Sequence, residues 1–170
     1  MNDIEILLSS RGWGANPQDY NRMNLLTFGA DGSGQLVLGH GQSVLAMVRY
    51  RFEIPTPGTL RIQFVDAVSN ELFVKNGRLG RELLEAEGGM PREFKYVLRN
   101  GDFRGQMNIG SEQGPFTYHF RAAITFAEPP YSEPTVRRFG HRPGVTDYTY
   151  YGHPVVDQSG YSSANSRNAG

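Results

Sequence analysis

The sequence predicts an all-β protein: a single antiparallel up-and-down barrel of about eight strands with one short helix and an extended C-terminal arm. Three observations carry the prediction. Apolar and polar residues alternate with period two along most of the chain, and 48–54 is the clearest case: Val48, Tyr50, Phe52 and Ile54 fall on one face, Arg49, Arg51 and Glu53 on the other. Tight turn sequences join these runs, among them Pro55-Thr56-Pro57-Gly58 and Asp31-Gly32-Ser33-Gly34. Glycine (21) and proline (10) are abundant, as a chain of many short turns requires.

The elements follow in order. Asn2 to Ser9 is compatible with a short strand or a helical turn. Arg11 to Asn24 is rich in Gly, Asn, Pro and Asp and holds the single tryptophan, Trp13. A meander starts at Asn24, with a strand to Gly29, a hairpin turn over 31–34, a return strand Gln35 to Gly39 and a bend at Gly39-His40-Gly41. The two alternating runs either side of Pro55-Thr56-Pro57-Gly58 come next; in the second, Leu60, Ile62 and Phe64 oppose Arg61 and Gln63. Glu71 to Lys75 suggests a short strand ending in a turn at Asn76-Gly77. Arg78 to Glu87 places Leu79, Leu83 and Leu84 at helical spacing and stops at Gly88-Gly89.

Strands then resume. Phe94, Tyr96 and Leu98 alternate with charged and smaller residues, and Asn100-Gly101 predicts a hairpin with Phe103 to Ile109 as its return strand. Ser111 to Gly114 turns into the longest run, Phe116 to Phe126. After Glu128, prolines 129, 130, 134 and 143 punctuate an arm that carries Tyr148, Tyr150 and Tyr151. The predicted organisation is a barrel domain over 1–128, a Pro/Tyr-rich arm packed on it over 129–156, and a flexible Ser/Asn/Gly-rich tail over 157–170. Sheets of about eight strands close to remove their edges, with a two-sheet sandwich as the competing arrangement.

Composition bounds the function. With 170 residues, one domain buries roughly 70% of its unfolded surface. Seventeen basic and seventeen acidic residues balance, and a neutral, mixed surface argues against a nucleic-acid partner. The chain contains no cysteine, which excludes disulfides and thiolate chemistry. No apolar run approaches a membrane span, and the acidic start, Asp3 and Glu5, is unlike a signal peptide; a soluble cytoplasmic protein is the expectation.

The succession Leu26-Thr27-Phe28-Gly29-Ala30-Asp31-Gly32-Ser33-Gly34, after an isolated Trp13 and ahead of further hairpins, resembles the opening of a calycin-type barrel, the group of the lipocalins and fatty-acid-binding proteins. The resemblance covers Trp13 to Phe126 in pattern. Gly12-Trp13-Gly14 departs from the lipocalin Gly-x-Trp spacing, and Thr146-Asp147-Tyr148 matches a second lipocalin motif in letters but follows the last long strand. What the resemblance implies is an architecture that serves carriers and enzymes alike.

Candidate functional residues follow from the inward face. Tyr50, Phe52, Phe64, Phe94, Tyr96, Phe116, Tyr118 and Phe120 form an aromatic set that either fills the core or lines a pocket. The leading expectation is a binding protein for a small, mainly apolar molecule, with Tyr50, Phe52, Phe64, Tyr96, Tyr118 and Phe120 as the lining and Trp13 near one mouth. No cofactor or metal is called for. The second expectation is a barrel enzyme, an isomerase, cyclase or lyase, in which a tyrosine or histidine moves one proton; an ionisable group beside the tyrosines would favour it. A third is an interaction module or homodimer using the arm. The cationic face, Arg49, Arg51, Arg61, Lys95, Arg99, Arg104 and Arg121, is expected to point to solvent, because clustered buried charge is costly. His40, His119, His141 and His153 have no metal-ligand spacing, and 31–34 lacks the alternating carboxylates of a calcium loop.

Overall fold

The alternating runs form strands, and the strands close on themselves. A computed structural model describes residues 2–15, 22–40, 43–68, 77–107, 116–135 and 149–152. The elements are α1 (Asp3–Leu8), β1 (Trp13–Ala15), β2 (Arg22–Phe28), β3 (Ser33–His40), β4 (Ser43–Thr56), β5 (Thr59–Ala67), α2 (Gly77–Glu87), β6 (Arg92–Met107), β7 (Phe116–Phe126) and β8 (Thr149–Gly152). Each strand pairs antiparallel with its neighbour in sequence, and β1 pairs with β8 as well as β2, giving a closed barrel in the order β1 to β8. Closure runs through Trp13, whose backbone lies opposite Leu26 on one side and Gly152 on the other.

The inward face is the one the alternation predicts. Val48, Tyr50, Phe52, Leu60, Ile62, Phe64, Phe94 and Tyr96 are all buried in one core cluster. The intervening Arg49, Arg51, Lys95, Arg99 and Arg121 are exposed. An eight-stranded barrel has an interior just wide enough for side chains. Here Trp13, Tyr50, Phe94, Phe126 and Tyr150 occupy it, each 2% exposed or less. Their rings meet edge to face, as in Tyr50–Phe64 at 5.8 Å and Phe126–Tyr150 at 5.7 Å between centroids.

Both ends are covered. The β2–β3 and β4–β5 turns share one end, where α1 docks with Ile6 and Leu7 buried and Leu7 O accepting from Trp13 Nε1 at 3.0 Å. At the other end α2 lies against β4 and β5 and buries Leu83; its Gly80 sits close to Ala67 Cβ and Met47 O. Gly88, at φ 76°, ends α2 as its spacing predicts. The Glu87 carboxylate, buried at the end of this helix, accepts from Ser132 N and Thr135 Oγ1 at 2.7 Å each and fastens the segment after β7.

Of the two readings of Asn2 to Ser9 the helical one holds, and α1 is a helix beyond the one expected at α2. Three local expectations need correction. A strand, β1, lies within the stretch read as irregular around Trp13. Asn100-Gly101 makes no hairpin: β6 continues through it, and Asn100 pairs with Ala122 while Phe103 pairs with Phe120, leaving a bulge between. A two-residue Asn-Gly turn needs positive φ at both positions. Gly101 does not have it, and β7, eleven residues of continuous strand, supplies a partner to both halves of β6. Finally, part of the predicted arm is barrel, since β8 falls inside 129–156 and closes the ring. The strand predicted at 71–75, the turn at 111–114 and the tail at 157–170 lie outside the described residues, as do Ile109, Gly41 and Tyr148.

Candidate functional site

A cleft of about 580 Å³ opens at the α1 end of the barrel. Three chain segments build it. Asn2, Asp3 and Ile4 come from the first turn of α1; Gly29, Ala30 and Gly32 from the β2–β3 turn; Phe52 through Pro57 from the end of β4 and its turn. Each wall is fixed by a local rule. Asn2 caps α1 in a reciprocal box, its Oδ1 accepting from Glu5 N at 2.9 Å while Glu5 Oε2 accepts from Asn2 N at 2.8 Å. Asp31 Oδ1 accepts from Ser33 N at 3.0 Å and Ser33 Oγ at 2.6 Å, which pins the β2–β3 turn and holds the Asp31 carboxyl below its ordinary value. The Pro-Thr-Pro-Gly turn is tied to α1 by Asp3 Oδ2, which accepts from Gly58 N at 3.3 Å.

The lining is mainly apolar, with Ile4, Ala30, Phe52, Ile54, Pro55 and Pro57. Its charged members are Asp3 and Glu53. Glu53 is paired with Arg61, which also reaches Glu93 at 2.6 Å. Asp3 Oδ2 accepts a second bond, from the Tyr96 hydroxyl at 2.5 Å. Burial first, and then this bond and the charge of Asp3, push the Tyr96 phenol far above its ordinary value, so it keeps its proton.

The sequence-predicted residues are distributed as follows. Phe52 reaches the cleft. Tyr50 packs against Phe52, and Phe64 against Tyr50, and the Tyr50 hydroxyl donates to Thr27 O at 2.7 Å. Trp13 and Tyr96 are buried beneath α1, each joined to that helix by one hydrogen bond. Phe120 is buried but outside the central cluster; its ring meets Tyr151 at 5.5 Å, and Tyr151 in turn meets Phe103 at 5.8 Å. The backbone of Tyr118 pairs with Gly105, and its side chain lies outside the described residues. His119 is exposed, 3.2 Å from Asp102 on the outer surface.

The sequence reading missed the wall from α1 and the turn residues Gly29 and Ala30. A usable signal for the helix was present, since Asn2 with Glu5 three residues on is the spacing of a capping box. It also missed a buried polar group at the α2 end, where Asn24 Nδ2 donates to Tyr131 Oη at 2.9 Å and the Tyr150 hydroxyl donates to Asn24 Oδ1 at 3.1 Å.

The fold and the cleft together define an eight-stranded antiparallel barrel with a mainly apolar recess at one mouth. Comparison with models of known families, with curated proteins and with solved structures finds no match. Among the described residues, no helix is long and apolar enough to cross a membrane.

Proposed function

We propose that this protein binds a small, mainly apolar molecule in the manner of a calycin-like barrel, and that the molecule sits at the α1 mouth. The observation that carries the proposal is the cleft itself: about 580 Å³, within the roughly 300–1,000 Å³ range of small-molecule sites, with apolar walls from Ile4, Phe52 and Ile54. The barrel interior, by contrast, is occupied by the protein's own aromatic side chains. This moves the expected site outward, keeping Phe52 as its floor and making Tyr50, Phe64 and Trp13 its support. A proton-transfer enzyme is the competing reading, and the Asp3–Tyr96 contact is what favours it. Both groups of that pair are engaged in holding α1 to the barrel, so carriage is the stronger reading.

Displacement of a neutral apolar fluorophore tests it. Ala30→Trp fills the recess from an exposed turn, and Ile54→Arg places a charge on its wall. Each is expected to weaken binding about tenfold or more, whereas Val97→Thr, on the exposed face of β6, leaves it within about threefold. Undiminished binding in both cleft variants would overturn the proposal.

A further inference from the structure

We infer that the molecule held in this cleft is a small apolar amine, bound as its ammonium ion with Asp3 Oδ1 as the counter-charge. The inference rests on the cleft being a ligand site, and it names the ligand's class. Asp3 occupies the first position of α1 and is half-buried in the cleft wall. Its Oδ2 takes both of its hydrogen bonds, from Gly58 N and the Tyr96 hydroxyl, and both donors are neutral. Among the described residues, Oδ1 has no hydrogen bond and no ion pair. The carboxylate is thus well anchored through one oxygen and left with an open acceptor on the other.

The rest of the lining sets the sign. It holds two carboxylates, Asp3 and Glu53, and no Lys, Arg or His. Glu53 shares the Arg61 guanidinium with Glu93, so the wall stays net negative, and among the described residues Asp3 is the lining carboxylate with no cationic partner.

A fatty acid placed here brings a second carboxylate beside Asp3 with no cation between them, and like charges at that range repel. A ligand without a donor strips water from Asp3 and returns nothing, which costs free energy, and a neutral hydroxyl returns a single bond without opposite charge. An ammonium head offers three N–H donors and the opposite charge. Its apolar body matches Ile4, Ile54 and the prolines, and the Phe52 ring in the same wall tolerates either a methylene chain or the face-on approach of a cation.

Titration calorimetry of the full chain with octylamine, octanol and octanoate tests this. These share one apolar body and differ in the head group. The expected order is octylamine tightest and octanoate weakest, with octylamine about tenfold or more ahead of octanol, as a charge-assisted bond predicts. Asp3→Asn keeps an acceptor for Gly58 and Tyr96 and removes the charge; it is expected to bring octylamine to the level of octanol. Added salt should weaken octylamine binding to the unaltered protein and spare octanol, a readout that stands even if the variant loosens α1. Equal binding of octylamine and octanol, or tightest binding of octanoate, would overturn the amine assignment while leaving the ligand site standing. If none of the three binds, the ligand reading of the cleft falls and the amine falls with it.

Discussion

Tyr50 shows how single side chains make this barrel. Its ring is fully buried, its hydroxyl donates to Thr27 O, and the ring fills space that only a glycine at position 34 leaves open: a Cβ on Gly34 would collide with both Tyr50 and Thr27 O. Gly34→Ala should therefore cost about 3 kcal/mol in denaturant unfolding, the upper part of the usual overpacking range. A loss within experimental error would mean the ring is not seated there. Burial raises the phenols of Tyr50 and Tyr150 well above 10.0, and burial with Asp3 raises that of Tyr96. Their folded values exceed their unfolded ones, so the stability linked to them is fully present below pH 10 and is lost as pH rises beyond it. In an alkaline titration followed by tyrosinate absorbance, these three should ionise only as secondary structure is lost. Ionisation of all nine tyrosines near pH 10 with the fold intact would contradict the burial described here.

Legibility in the sequence depended on how an element meets solvent. β4 and β5 each show one buried and one exposed face, so Val48-Tyr50-Phe52 and Leu60-Ile62-Phe64 announced them. β1 is three residues long and buried at all three, Trp13, Gly14 and Ala15, which leaves no alternation to detect. β8 has four residues, too few for a period to stand out. Asn100-Gly101 misled because local turn chemistry was overruled by tertiary pairing with β7. Gly101 lacks positive φ, and a Cβ there makes ordinary contact with Phe103 at 3.6 Å. Gly101→Ala should shift stability by no more than about 0.5 kcal/mol, against about 1–2 kcal/mol if the residue sat in a left-handed turn. The cleft was legible in parts only. Phe52 and the Pro55–Gly58 turn are visible in the sequence, but their meeting with Asp3, some fifty residues earlier, is a product of closure. Helix α1 is the element that creates it, and Leu7→Ala should loosen that helix at a cost of about 3 kcal/mol and shift Trp13 fluorescence toward that of a solvated indole.

Taken whole, the molecule is a ring whose last strand comes from a segment that composition assigned to an arm. Truncation after Glu128 removes β8, Tyr131 and Tyr150, and leaves β1 and β7 as open edges. The shortened chain should lose its sharp thermal transition and bind hydrophobic dyes non-specifically; an unchanged melting curve would show that β8 does not close the barrel. The ring is closed, plugged by aromatics and covered by α2 at one end, and we propose the α1 mouth as its ligand site. The most direct test of that claim is a ¹H–¹⁵N correlation spectrum of the full chain titrated with octylamine. Saturable shifts are expected at Asp3, Ile4, Ala30, Phe52 and Ile54, with Leu83 and Asn24 at the far end unmoved. Shifts absent from the first group, or centred on the second, would contradict it.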